Sequence, residues 1–123
     1  MNRTALLLLS TAVVAGCTNS PARTSSSVTA TGPAGAQVAT VGMTDQRVFT
    51  PDVVKAVVGT LTLTAKNQGS TPHNLLFDTP GLGGTGTVAG QQSGTVTLVL
   101  RHAGTYTFTC TFHPGMAGRL VVS

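Results

Sequence analysis

The pattern of apolar and polar residues changes at Gln37. From there to the C-terminus, apolar and polar residues alternate with a period of two, which is typical of β-strands with one buried face. In residues 60–66, leucine and alanine alternate with threonine, and residues 95–100 alternate threonine with valine and leucine. The residues predicted to face the core from these two stretches are Leu61, Leu63, Ala65, Val96, Leu98 and Leu100.

Similar short stretches continue through the rest of this region. The predicted strands span residues 37–44, 53–58, 60–66, 74–77, 95–100, 105–110 and 119–122. The glycine-rich residues 78–94 predict a loop, and no stretch of ten residues has a helical pattern. Short strands at this spacing predict an all-β fold, a β-sandwich of about seven to eight strands.

The N-terminus has the features of an export signal. Arg3 supplies a positive charge before the apolar run of residues 5–15. This run is too short for a bilayer core of about 30 Å at about 1.5 Å per residue, so it predicts a signal peptide over residues 1–16. Val14-Ala15-Gly16-Cys17 resembles the bacterial lipobox. It implies cleavage before Cys17 and lipid attachment at Cys17, whereas the alternative is an ordinary secretory signal followed by a chance cysteine.

Residues 17–36 differ in composition from the region that follows. Thr18 to Ala36 consists mostly of Thr, Ser, Ala, Pro and Gly, with almost no large apolar side chain. Such a segment buries too little surface to fold, so it predicts a flexible tether with a root-mean-square reach of roughly 25 Å. The folded domain is therefore predicted to span residues 37–123.

Charge excludes one class of partner. The chain has a formal net charge of +4, but charged residues make up only 8% of it. The basic residues of the predicted domain are scattered along the sequence, with no run and no stripe. A nucleic-acid-binding surface requires a clustered basic footprint, so none is expected.

Three possible metal ligands follow one predicted strand. Alternation along residues 105–110 places Cys110 on the same face as Phe108, so Cys110 is expected to point inward. The Pro114-Gly115 turn allows His113 and Met116 to fold back toward Cys110. A thiolate, an imidazole and a thioether are therefore expected around one point.

This combination of ligands selects copper over hard cations. A trigonal His₂Cys set with a weak axial Met is the blue-copper arrangement and requires a second histidine. His73 is the leading candidate, because His102 lies in a turn and is expected to be exposed to solvent. Taken singly, a buried Cys110 or Met116 is more commonly a core residue. If Cys17 carries lipid, Cys110 is an unpaired thiol in an oxidising compartment, where a ligand role would protect it.

Three motifs carry a family resemblance. They are Thr71-Pro-His73-Asn-Leu, Gly104-Thr-Tyr106-x-Phe-x-Cys110 and Cys110-x-x-His113-Pro-Gly-Met116. Over residues 37–123 the chain resembles the cupredoxin family, the group of plastocyanin, pseudoazurin and amicyanin. The resemblance implies a Greek-key β-sandwich with one type 1 copper ion bound by His73, Cys110, His113 and Met116. Asn74 matches the residue that orders the ligand loops, and Phe112 stands where plastocyanin and amicyanin carry a proline.

The resemblance also implies a function. The protein is expected to be a membrane-anchored, extracytoplasmic electron carrier rather than an enzyme, a monomer that exchanges single electrons with redox protein partners. His113 would be the electron port, with Phe112 and Pro114 in the docking surface. The alternatives are copper sequestration or delivery through the same ligands, and a metal-free β-sandwich adhesion module.

Overall fold

The computed structural model describes residues 24–123, and the structural statements below concern this part of the chain. It forms two packed β-sheets and one short 3-10 helix over residues 34–36. The strands are β1 (Ser27–Thr29), β2 (Gln37–Met43), β3 (Phe49–Thr50), β4 (Val53–Ala56), β5 (Gly59–Asn67), β6 (Leu76–Phe77), β7 (Ser93–Leu100), β8 (Gly104–Thr109) and β9 (Ala117–Val122). The predicted all-β sandwich is confirmed, and the described residues hold nine strands rather than seven or eight.

Both sheets are mixed. The first has the strand order β1-β4-β9-β8-β6, and the second has the order β3-β2-β5-β7. Strands β2, β5 and β8 end at one end of the sandwich, where β4, β7 and β9 begin. We call this the upper end. The predicted ligands Cys110 and Met116 lie there, because they directly follow β8 and directly precede β9.

The core lies between the sheets and is built by alternation along the strands. All six residues predicted to face inward from β5 and β7 are buried. Phe108 of β8 is fully buried and makes edge-on contacts with Phe49 and Phe77, with ring centroids 5.0 and 5.5 Å apart. Aromatic pairs favour this geometry, and the three rings fill the core close to the upper end.

One predicted strand is much shorter in the structure. The sequence predicts a strand over residues 74–77, but only Leu76 and Phe77 pair with β8. The residues before them are held instead by an isolated bridge between His73 and Val88. The chain leaves the sheet there because His73 pairs with the 78–92 loop.

The structure corrects the boundary between the predicted tether and the domain. The sequence predicts a tether to Ala36, but β1 lies inside that segment and pairs in parallel with β4. Val28 packs against the core, and the Ala30 N–H donates to the Lys55 carbonyl at 2.7 Å. A strand added to an existing sheet edge gains main-chain hydrogen bonds and needs few apolar side chains, so its composition resembles that of a tether.

Two further predictions fall on the N-terminal residues. The signal peptide and the lipidation of Cys17 both lie outside the described residues. Within residues 24–123, no helix has the length and apolar character needed to cross a membrane.

We expect the Gly118→Ala variant to lose about 1–3 kcal/mol of stability, because an overpacked core must shift. A Cβ atom at Gly118 would clash with the ring of Phe108 and lie 2.7 Å from the Asp52 carbonyl oxygen. Gly35→Ala is the matched control, since a Cβ atom there has nothing within 4 Å. Denaturant unfolding of both variants measures the difference, and equal midpoints would contradict the packing described here.

Candidate metal centre

Three predicted ligands from two segments meet at the upper end. His73 follows β5, whereas Cys110 and His113 lie between β8 and β9. One ligand atom from each residue lies within 4.8 Å of the other two. The Cys110 Sγ atom is 3.8 Å from His73 Nδ1 and 3.5 Å from His113 Nδ1. All three residues are buried, so the cluster is a compact, buried set of soft and borderline donors.

The segment from Cys110 to Met116 is closed by its own main chain. The Cys110 N–H donates to the Met116 carbonyl at 3.0 Å, and the Met116 N–H donates to the His113 carbonyl at 3.1 Å. Gly115 has a φ of 84°, a left-handed conformation that favours glycine. The turn leaves Met116 buried at 2% exposure, and its main chain lies against that of Cys110.

The backbone of His73 is fixed from the opposite side. The His73 N–H donates to the Val88 carbonyl at 3.1 Å, and the Val88 N–H donates to the His73 carbonyl at 2.7 Å. The fully buried Asn67 side chain donates to the carbonyls of Thr71 and Val88 and accepts from the Gly69 N–H. Asn67 therefore braces both the segment that leads to His73 and the loop residue that pairs with it.

Sequence reasoning missed Asn67, although the sequence contains an indication. Along β5 the buried positions are Leu61, Leu63, Ala65 and then Asn67. An amide in the buried register of an alternating strand must find hydrogen-bond partners, because an unsatisfied buried polar group costs about 1–3 kcal/mol. The period-two pattern could therefore have marked Asn67 as a structural polar residue.

Asp45 is a second residue that sequence reasoning missed. Its carboxylate accepts from the N–H groups of Ser70 and Thr71, at 3.0 and 3.1 Å, and from the Ser70 hydroxyl. The hydrogen bonds from the Thr71 and Ser70 backbone N–H groups hold the pKa of Asp45 below its usual value. This contact ties the turn after β2 to the approach to His73.

Asn74 joins the two ligand-bearing segments. Its Nδ2 atom donates to the Thr111 hydroxyl, and the Thr111 N–H donates to its Oδ1 atom, both at 2.8 Å. Asn74 is the neighbour of His73, and Thr111 is the neighbour of Cys110. These two hydrogen bonds therefore fix the spacing of the two ligands directly.

Burial controls the protonation of His73. Desolvation lowers the pKa of His73 below its ordinary value, and the nearby His113 lowers it further. His73 is fully buried, and its Nε2 atom has no hydrogen-bond partner. A neutral imidazole is the form that binds metals, so His73 is ready to act as a ligand at neutral pH.

The donor set fits copper. It combines one thiol, two imidazoles and a buried thioether, and the metal-binding group found in the described residues contains no carboxylate. Hard cations such as calcium and magnesium require oxygen ligands. Both histidine Nδ1 atoms face the Cys110 sulfur, but the thiol has a single proton and can donate it to only one of them. A soft metal ion would instead bind the sulfur and both nitrogen atoms.

The surroundings differ between the two histidines. His73 is fully enclosed, whereas His113 is 8% exposed and lies between Phe112 and Pro114, both exposed. His102 is exposed at the opposite end of the sandwich, and only its carbonyl has a role, as the acceptor of the Tyr106 hydroxyl. The structure thus brings His73 and His113 together and leaves His102 outside the site.

We expect the metal-free protein to lose stability as the pH falls below about 6.5. The unfolded chain binds a proton at His73 near that pH, whereas the folded chain, with its lowered pKa, does not. The free energy of unfolding should therefore decline from pH 6.5 through the lowered pKa. His73→Gln should flatten this part of the profile. His102→Gln should leave it unchanged, and equal profiles for all three proteins would contradict the assignment.

Comparisons with known proteins agree with this site. Residues 6–122 match the family model of the cupredoxin-like domain. No match was found among curated proteins. Several solved structures are similar to the chain.

Auracyanin A, a "blue" copper protein from Chloroflexus aurantiacus, is 19% identical, with a TM-score of 0.63, and the match covers 72% of this chain and all of auracyanin A. A reduced proline-to-phenylalanine variant of amicyanin is 31% identical over 68% of this chain and 80% of its own, with a TM-score of 0.56. A purple cupredoxin from Nitrosopumilus maritimus is 23% identical over 69% of this chain and 99% of its own, with a TM-score of 0.58. The chain belongs to the cupredoxin family, and His73, Cys110, His113 and Met116 are positioned to bind one copper ion.

Proposed function

We propose that the protein is a type 1 copper protein that carries single electrons between redox partners outside the cytoplasm. A lipid on Cys17 anchors it to a bacterial membrane. One observation carries the proposal: the Cys110 sulfur and two imidazoles form a compact, buried set beside a buried Met116. A trigonal His₂Cys set with a weak axial Met is the ligand set of electron-transfer copper sites.

The chain's own contacts support electron transfer. When bound, copper supplies a one-electron Cu(II)/Cu(I) couple. The ligands are positioned by hydrogen bonds that do not involve the metal, from Asn67, from Val88 and between Asn74 and Thr111. Ligands held in this way move little when the charge of the metal changes, so little rearrangement accompanies each transfer.

The route for the electron is proposed to pass through His113. Its ring is the more exposed of the two imidazoles and lies between Phe112 and Pro114. Phe112 is 49% exposed, and residues 111–118 contain no acidic residue, lysine or arginine. An exposed apolar patch of this kind suits brief docking of a partner with a matching apolar surface.

The buried ligands support a carrier rather than an enzyme. Catalytic metal sites keep a position open for water or substrate. Here His73, Cys110 and Met116 are each at most 3% exposed, and His113 is only slightly more exposed. The site is suited to passing electrons through its edge and not to binding a substrate at the metal.

Copper sequestration or delivery is the alternative use of the same ligands. Burial of the ligands favours retention of the metal, which a delivery protein must release. Copper loss to a strong chelator, compared with the electron exchange rate, distinguishes the two roles. Loss that is fast relative to electron exchange would favour delivery.

We expect the protein loaded with Cu(II) to be intensely coloured, with a sulfur-to-copper charge-transfer band and the EPR spectrum of a type 1 site. Cys110→Ser should remove the band, because a serine hydroxyl cannot replace the thiolate. His102→Gln is the control and should keep the full spectrum. A colourless, tetragonal Cu(II) site in the unsubstituted protein would refute the type 1 assignment.

We expect Phe112→Ala to slow electron self-exchange between oxidised and reduced copies by about five- to tenfold, as truncation of an apolar contact residue costs about 1 kcal/mol or more. Its absorption spectrum should not change, since Phe112 is not a ligand. Val58→Ala is the matched control, because Val58 is similarly exposed but lies beside the C-terminal Ser123 at the opposite end. Line broadening in NMR spectra of mixed oxidation states measures the rate. If only the Val58 variant showed a slower self-exchange rate, electron exchange through the Phe112 patch would be ruled out.

A further inference from the structure

The direction of β1 determines where the chain leaves the domain. Strand β9 begins at Ala117, directly after the ligand Met116. Strand β4 runs parallel to β9, with Val53 opposite Arg119, and β1 runs parallel to β4, with Ser27 opposite Val53. Strand β1 therefore begins at the upper end, two strands from β9 in the same sheet.

Contacts around the start of β1 agree with this direction. Thr24 and Ser26 line a surface cavity of about 380 Å³ together with Phe49 and Ala117. The Ser26 N–H donates to Asp52 Oδ1 at 2.8 Å. The Ser26 carbonyl accepts from the Val53 N–H at 3.0 Å. The point of exit is thus attached to the end of the sandwich that holds the ligands.

Without β1, the chain would leave from the other end. Strand β2 begins at Gln37 opposite Leu61 and reaches the upper end only at Met43, opposite Asn67. The nine-residue β5 beside it spans about 30 Å at about 3.3 Å per residue. The segment before Gln37 therefore runs along the first sheet, and its N-terminal end lies at the upper end, which holds the copper site.

The connection from β1 to the predicted anchor is short. Only the six residues 18–23 lie between Cys17 and Thr24. At no more than about 3.6 Å per residue, they can span at most about 25 Å. A connection from Cys17 to Gln37 could span about 70 Å. The connection from Cys17 to Thr24 is therefore shorter than the sandwich is long. An anchor at Cys17 thus keeps the upper end close to the membrane.

We propose that the anchored protein holds its copper end toward the membrane, where it meets a redox partner embedded in that same membrane. This inference rests on the lipid anchor and the electron-transfer role proposed above. The exposed Phe112 and Pro114 lie at the end from which the chain leaves. The parallel pairing of β1 with β4 thus places the docking patch at membrane level.

Photo-crosslinking of the full-length lipidated protein tests the orientation. A photoreactive benzoylphenylalanine replaces Phe112 in one sample and Val58, at the opposite end, in the other. In vesicles of phosphatidylethanolamine and phosphatidylglycerol, we expect at least fivefold more lipid adducts from position 112. Equal adducts, more adducts from position 58, or a chain without lipid on Cys17 would each overturn the proposal.

Two variants test the role of β1. Val28→Asp should release β1, because Val28 packs against the core, and should bring the adduct ratio close to one. Thr29→Asp is the matched control, since Thr29 is exposed, and should keep the ratio. A 14-residue glycine-serine insertion before Thr24 lengthens the connection without touching the fold and should also lower the ratio. A ratio unaffected by both Val28→Asp and the insertion would overturn the role of β1.

The partner is tested separately with native membranes. The reduced lipidated protein should be reoxidised at least fivefold faster by washed membranes than by the soluble extracytoplasmic fraction, and the reverse result would overturn the membrane partner. The sulfur-to-copper band that returns on reoxidation reports on the copper site alone. A fully oxidised sample without this band would contradict the proposed function, whereas lipid crosslinking does not require copper and reports on the orientation alone.

Discussion

The contact between His73 and Cys110 is the constraint on which the rest of the structure depends. The two residues are 37 positions apart, yet His73 Nδ1 lies 3.8 Å from the Cys110 sulfur in a buried corner. Holding polar groups there is costly unless their neighbours are satisfied and fixed. The sandwich achieves this through the Asn74–Thr111 hydrogen bonds and the pairing of His73 with Val88. The spacing of the ligands is therefore set by contacts of the fold that do not involve the metal.

The sequence predicts the parts of this arrangement that depend on local pattern. Strands β5 and β7 follow from strict alternation, because a residue pointing inward is apolar nearly every time. Cys110, His113 and Met116 follow from close spacing in one turn. The bracing residues are different in kind. Asn67 and Asp45 form hydrogen bonds with main-chain groups, such as the Val88 carbonyl and the Ser70 N–H. Nothing in the sequence identifies these main-chain groups as their partners. Main-chain partners of this type can be identified only once the loops are in place.

Strand β1 shows a second limit of composition. Its residues are Ser27, Val28 and Thr29, and only Val28 offers apolar surface. What stabilises the strand is the open edge of β4, which supplies main-chain partners already aligned by the sheet. A segment that completes an existing sheet loses entropy only for its own few residues, so one partly buried valine and a few hydrogen bonds can be enough. The same composition without a neighbouring edge would remain a tether, which is why the sequence alone places the boundary at Gln37.

The two histidines show how one fold separates retention of the metal from exchange of electrons. His73 is enclosed, and its backbone and neighbour are fixed by Asn67, Val88 and Asn74, so this side of the site holds the metal and excludes water. His113 lies at the rim beside Phe112, in a short turn that is closed by its own main chain and joined to Asn74 through Thr111. In the proposed role, a partner that docks on Phe112 would reach the metal through the His113 ring without disturbing the enclosed side. With β1 returning the chain to this same rim, the proposed membrane partner and the proposed electron port lie on one side of the molecule. The direction of β1 therefore makes the proposed route from the electron port to the membrane partner short. The domain does not have to reorient on its anchor to bring the two together.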